Sequence, residues 1–140
     1  LYSFRGIFAA QETDTAMRYF KYYSRKRLLG EHVPYAVEAW PEGDQRHLSA
    51  ESALYARVVT EGIFGIEPTG FNSFNLAPYL PSSWNNMCLN NIQAFATSLN
   101  LCVNRSADEQ NEFVITLTQP NKTEQRFNWQ GQAPIAINLK

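Results

Sequence analysis

The sequence predicts an α+β chain, helices first and a small antiparallel β-sandwich after them. Three observations predict it. Up to about Phe64 the apolar residues recur at three- and four-residue spacing or fill a helix outright. Beyond Pro68 they alternate with polar ones, as in strands with one buried face. Prolines and glycines gather where one pattern gives way to the other. On these grounds the chain divides into residues 1–67 and 68–140.

The first helix opens near Thr13 or Asp14, either of which can cap it. Met17, Tyr19, Phe20, Tyr23 and Leu28 recur at helical spacing, and Lys21, Arg25, Lys26 and Arg27 fill the other face towards the C-terminal end, where cations complement the dipole. Gly30 stops it. A loop over 31–47 follows, rich in carboxylates and aromatics, in which Pro34 and Pro41 forbid a continuous helix. Ser49 then caps a second helix that runs to about Gly62, closed by Gly65 and Pro68. From Ser49 to Phe64 the only charges are Glu51, Arg57 and Glu61, so this helix lacks a polar face and is expected to be buried on most sides. Arg57 and Glu61 are four apart and should form an intrahelical ion pair.

The strand signals begin at Phe74-Asn75-Leu76, and Pro78, Pro81 and Trp84 make a rigid turn. Cys88, Leu89, Ile92 and Phe95 suggest a strand, and Leu99, Leu101 and Val103 alternate cleanly. Phe113, Ile115 and Leu117 do the same, Gln119-Pro120-Asn121-Lys122 is a hairpin turn, and the chain returns through Thr123–Trp129 before Ile135, Ile137 and Leu139. Four to six short strands of this kind build a sandwich or half of one.

Composition narrows the function. A net charge of -1 gives no electrostatic footprint for nucleic acid or an anionic membrane, and no run of 18 apolar residues spans a bilayer. The opening LYSFRGIFAA lacks the pattern of a signal peptide, and with no initiator Met the 140 residues are expected to be a piece of a longer chain. Cys88 and Cys102 can pair but show no metal spacing; two buried free thiols are the expectation. Asn104-Arg105-Ser106 and Asn121-Lys122-Thr123 fit a glycosylation acceptor at the level of chance. No phosphate loop, Ser-His-Asp order or HExxH pattern is present.

Two segments carry a resemblance. Glu61-Gly62-Ile63-Phe64-Gly65-Ile66-Glu67-Pro68 looks like the exit from the last barrel helix of a six-hairpin glycoside hydrolase, the superfamily of glucoamylase, trehalase and α-L-rhamnosidase. Leu76-Ala77-Pro78-Tyr79-Leu80-Pro81-Ser82-Ser83-Trp84 resembles the opening of the β-domain appended to that barrel. The match spans roughly Tyr22 to Leu101. It implies the closing helical hairpin of an (α/α)6 barrel followed by a β-sandwich, with the other five hairpins upstream. It also implies a carbohydrate substrate and a periplasmic or secreted setting. The piece alone would be inactive, and its uncovered helix flanks should make it aggregate or dimerise.

Glycoside hydrolysis needs two carboxyl groups, one to protonate the leaving oxygen and one to activate water or attack the sugar. In the resembled enzymes the loop before the last inner helix delivers the second. Glu38 occupies that place and is the candidate general base; Glu42 and Asp44 are alternates in the same loop. Tyr35 and Trp40 offer flat apolar surfaces to a pyranose, and Arg46 and His47 are candidates for sugar hydroxyls. The plain alternatives are solvated carboxylates at 38 and 42, a turn residue at Asp44, and loop bracing by Arg46 and His47. Trp84 and Trp129 are expected in core or interface, and Phe71, Phe74 and Tyr79 as glue between β-domain and barrel. No cofactor or metal is implied. The competing reading is a non-catalytic carbohydrate-binding or structural accessory domain.

Overall fold

In the computed structural model, residues 1–27, 49–107, 112–131 and 133–139 are described. Among the described residues, three α-helices and two antiparallel sheets follow one another in the order helices, then strands. The chain separates into two compact units, Leu1–Ile63 and Phe64–Lys140.

The helical unit holds α1 (Tyr2–Ala9), α2 (Thr13–Arg27) and α3 (Ser49–Arg57). Helix α1 was not foreseen, because eight residues are too few to display a period. Its Phe8 is fully buried and lies against Gly62, where an added Cβ would come within 3.0 Å of the ring. Helix α2 follows its periodicity: Ala16, Met17 and Phe20 are buried, while Arg18, Lys21, Tyr22 and Arg25 are exposed. Thr13 and Asp14 lie inside its first turn rather than capping it. The carbonyl of Glu12 accepts the Ala16 N–H at 2.9 Å, which puts the cap position one residue earlier than expected. Gly30, the expected stop, lies outside the described residues.

Ser49 is already helical, and the second helix does not stay α to Gly62. It widens into a π-helical segment over Val58–Ile63. Gly62 and β-branched Val58, Val59 and Thr60 stand in this turn, residues with little α-propensity to resist the change. Of the stretch expected to be buried on most sides, Ala53, Ala56 and Arg57 are exposed, while Val58, Gly62, Ile63 and Phe64 are buried.

Among the described residues seven strands build the second unit, more than the sequence suggested. The three-stranded sheet has the order β1 (Ile66–Gly70), β2 (Ser73–Leu76), β7 (Ile135–Asn138). The four-stranded sheet is a meander of β3 (Asn86–Ala94), β4 (Thr97–Arg105), β5 (Phe113–Thr118) and β6 (Gln125–Trp129). The arrangement is sandwich-like. Pro68, expected to close the preceding helix, instead sits in β1 opposite Phe74, and β1 is an edge strand, where a missing N–H is tolerated.

Alternation sets which face is buried. Met87, Val103 and Ile115 lie side by side across three strands, as do Leu89, Leu101 and Leu117 one pair further on. All but half-buried Leu89 are core residues. Phe74, Leu76 and Ile137 form the buried face of the smaller sheet, and Phe74 stacks on Phe95 with ring centroids 4.9 Å apart. Phe74 is therefore core of the β-unit itself. Trp129 is also core, its indole N–H donating to the Ala133 carbonyl at 3.1 Å; Trp84 is half-buried.

Between the two inward residues on each strand stand Cys88 and Cys102, directly opposite one another on the outer face. They form a disulfide, with Cα atoms 4.2 Å apart. The expectation of two buried free thiols is overturned: Cys88 is exposed, and period-two geometry places both sulfurs on the same side of the sheet.

Candidate functional site

Every residue singled out for catalysis or sugar contact (Tyr35, Glu38, Trp40, Glu42, Asp44, Arg46 and His47) lies outside the described residues. What the structure does describe is the pair of helices on either side of residues 28–48. Helix α2 ends at Arg27 and α3 begins at Ser49. The two helices are held together near these points by the Ser24 and Tyr55 hydroxyls, 2.9 Å apart, while the Ser24 hydroxyl also donates to the Phe20 carbonyl at 2.7 Å.

An aromatic cluster lies around this contact. Phe20 and Tyr23 both stack on Tyr55, with centroids 4.8 and 6.1 Å away, and Phe4 of α1 meets Phe20 and Tyr23 edge-on. Offset and edge-to-face rings add directional attraction to ordinary burial. Helices α2 and α3 therefore pack through one aromatic patch. Of its members, only the spacing of Phe20 and Tyr23 was visible in the sequence; Tyr55 and Ser24 carried no separate signal.

The second polar feature is built on the π-helical turn. Arg57 donates through Nη2 to a Glu61 carboxylate oxygen at 3.0 Å and through Nε to the other, so the expected ion pair forms. A third member was missed: Arg5 of α1 donates to the same carboxylate from the other side. Partial burial pushes the Glu61 carboxyl up, but hydrogen bonds and charge from Arg57 and Arg5 outweigh it and hold the group below the usual carboxylate range. The Glu61 hydrogen bond and charge raise Arg57 in turn. A carboxylate held ionised by two guanidiniums has no proton to give at neutral pH, so Glu61 is a brace between α1 and the final helical turn rather than a general acid.

The third feature is the chain's exit from that turn. Gly65 has φ +60°, and an added Cβ would stand 1.9 Å from the Ala77 carbonyl oxygen. The Gly65 carbonyl accepts the Ala77 N–H at 3.1 Å, and Ile66 pairs with Leu76. Pro78 and Pro81 are fully buried beyond it, and Arg105 donates to the carbonyls of Pro81 and Trp84 at 3.0 and 3.3 Å. Burial pushes the Tyr79 phenol up. Phe71, at the turn between β1 and β2, is almost wholly exposed.

Elsewhere, a shallow open hollow of about 380 Å³ lies at the β3–β4 turn, lined by Gln93, Ala94, Ala96, Thr97 and Ser98. It contains no ionisable group and so no means of acid–base chemistry. Among the described residues no group of His, Cys, Asp and Glu is placed to hold a metal ion, and no helix is long and apolar enough to cross a membrane. Comparison with protein-family models, with curated proteins and with solved structures finds no match.

Proposed function

We propose that the chain is the C-terminal part of a glycoside hydrolase: the closing hairpin of a six-hairpin barrel with its β-sandwich, acting on an oligo- or polysaccharide. The observation that carries this reading is the meeting of the two segments on which the resemblance rests. Residues 61–68 and 76–84 are distant enough in sequence to have been read separately, yet Gly65 and Ile66 of the first bond and pair with Ala77 and Leu76 of the second. One glycine that tolerates no Cβ makes that approach.

On this reading the loop over 31–47 supplies one of the two carboxylates, with Glu38 as general base and Glu42 or Asp44 as alternates. Tyr35 and Trp40 flank the sugar, and Arg46 and His47 contact its hydroxyls or brace the loop. The general acid comes from the upstream barrel. A periplasmic or secreted location belongs to the same proposal, and the Cys88–Cys102 disulfide is compatible with it, since such bonds persist in oxidising compartments.

The test is release of new reducing ends. Full-length protein incubated with a panel of neutral and acidic oligo- and polysaccharides should cleave at least one of them. Binding without cleavage across the panel would favour the accessory-domain reading instead.

A further inference from the structure

We infer that the exposed face of α2 is a docking surface for a uronate-bearing, anionic polysaccharide. The inference rests on the glycosidase reading for the class of polymer, and on α2 itself for the charge.

Positive charge is concentrated on this helix. It carries five Lys or Arg residues and one Asp, in a chain whose 12 basic and 13 acidic residues give a net charge of -1. The remainder is therefore acidic, and α2 is a local reversal of sign. Arg18, Lys21 and Arg25 are exposed on the side opposite buried Ala16, Met17 and Phe20. A helix face that is merely solvated usually interleaves both signs. Here none of the three has a carboxylate partner among the described residues, and Asp14 is the only acid in the helix.

Tyrosines are set among the cations. Tyr19 is 49% and Tyr22 61% exposed, large surfaces for rings on a helix in water. Each ring has a cation over it: the Arg18 guanidinium carbon lies 5.0 Å from the Tyr19 centroid, and the Lys26 ammonium 6.0 Å from that of Tyr22. Such a surface suits a pyranose carrying a carboxylate. A ring takes the apolar CH face, and a neighbouring guanidinium takes the carboxylate through two parallel N–H bonds. An acidic peptide would satisfy the cations but leave the rings idle.

The experiment uses full-length protein and fluorescence anisotropy of three labelled probes: an oligogalacturonate, a neutral oligosaccharide of the same length, and polyglutamate of the same charge. The oligogalacturonate should bind best and weaken as salt rises from about 50 to about 200 mM. Lys21→Glu with Arg25→Glu should weaken it about tenfold or more. Tyr19→Ala with Tyr22→Ala should weaken the oligogalacturonate and leave polyglutamate unchanged. All four positions are exposed, so the helix should persist, checked by circular dichroism. Equal binding of polyglutamate, no binding of the oligogalacturonate, or unchanged binding in the charge-reversed variant would overturn the proposal. Reducing-end release is read separately, so failure of this surface and failure of the hydrolase reading are distinguishable.

Discussion

Gly65 and Gly131 both have positive φ, at +60° and +83°, but their surroundings differ. Around Gly131 an added Cβ would meet nothing within 4 Å; at Gly65 it would collide with the Ala77 backbone. Replacing Gly131 by Ala should therefore cost only the left-handed backbone penalty, about 1 kcal/mol. Gly65→Ala must also push β1 away from the chain at Ala77 and should cost roughly 3 kcal/mol or more. Urea unfolding of the two variants measures the difference, and equal losses would contradict the close approach at Gly65. Residue-scale legibility follows the same line. The Arg57–Glu61 pair was visible because i,i+4 spacing on one helix is a local rule. Arg5 was not, because this second guanidinium arrives from a separate helix 56 positions away.

Strand β3 shows why element patterns were only partly readable. Its apolar positions Leu89 and Ile92 are three apart, which breaks strict alternation. The pairing runs from Leu89↔Leu101 to Ile92↔Leu99, so one extra residue is accommodated in a β-bulge. Asn91 takes φ 56° there, and its N–H donates to the Asn100 side-chain oxygen at 2.8 Å. The hairpin then closes through Phe95 and Ala96, both at positive φ, in a two-residue turn that usually selects Asn-Gly. Neither residue announces a turn, and the stacking of Phe95 on Phe74 is a tertiary contact that local reading cannot supply. Where the alternation is unbroken, in β4 and β5, the strands lie where the sequence placed them. The Cys88–Cys102 bond ties β3 to β4 across a loop of sequence separation 14. Replacing both cysteines by Ala should cost about 3 kcal/mol if the closed loop restricts the unfolded chain. An unchanged unfolding midpoint would show that the bond adds nothing to a hairpin already paired.

At the scale of the molecule, the α+β order and the two antiparallel sheets agree with the sequence reading, because each rests on periodicity summed over many residues. The candidate site is legible only as chemistry: Tyr35, Glu38 and Trp40 between Pro34 and Pro41, with Glu42 and Asp44 just beyond, in the stretch between α2 and α3. Its geometry depends on residues outside those described, and on the proposed reading the second carboxyl group comes from an upstream barrel. The central claim therefore turns on a single side chain. In the full-length protein, Glu38→Gln removes the charge and basicity while keeping the shape, so turnover of the cleaved glycan should fall by about two to four orders of magnitude, with unfolding and glycan binding nearly unchanged. Retained turnover in that variant would contradict the account.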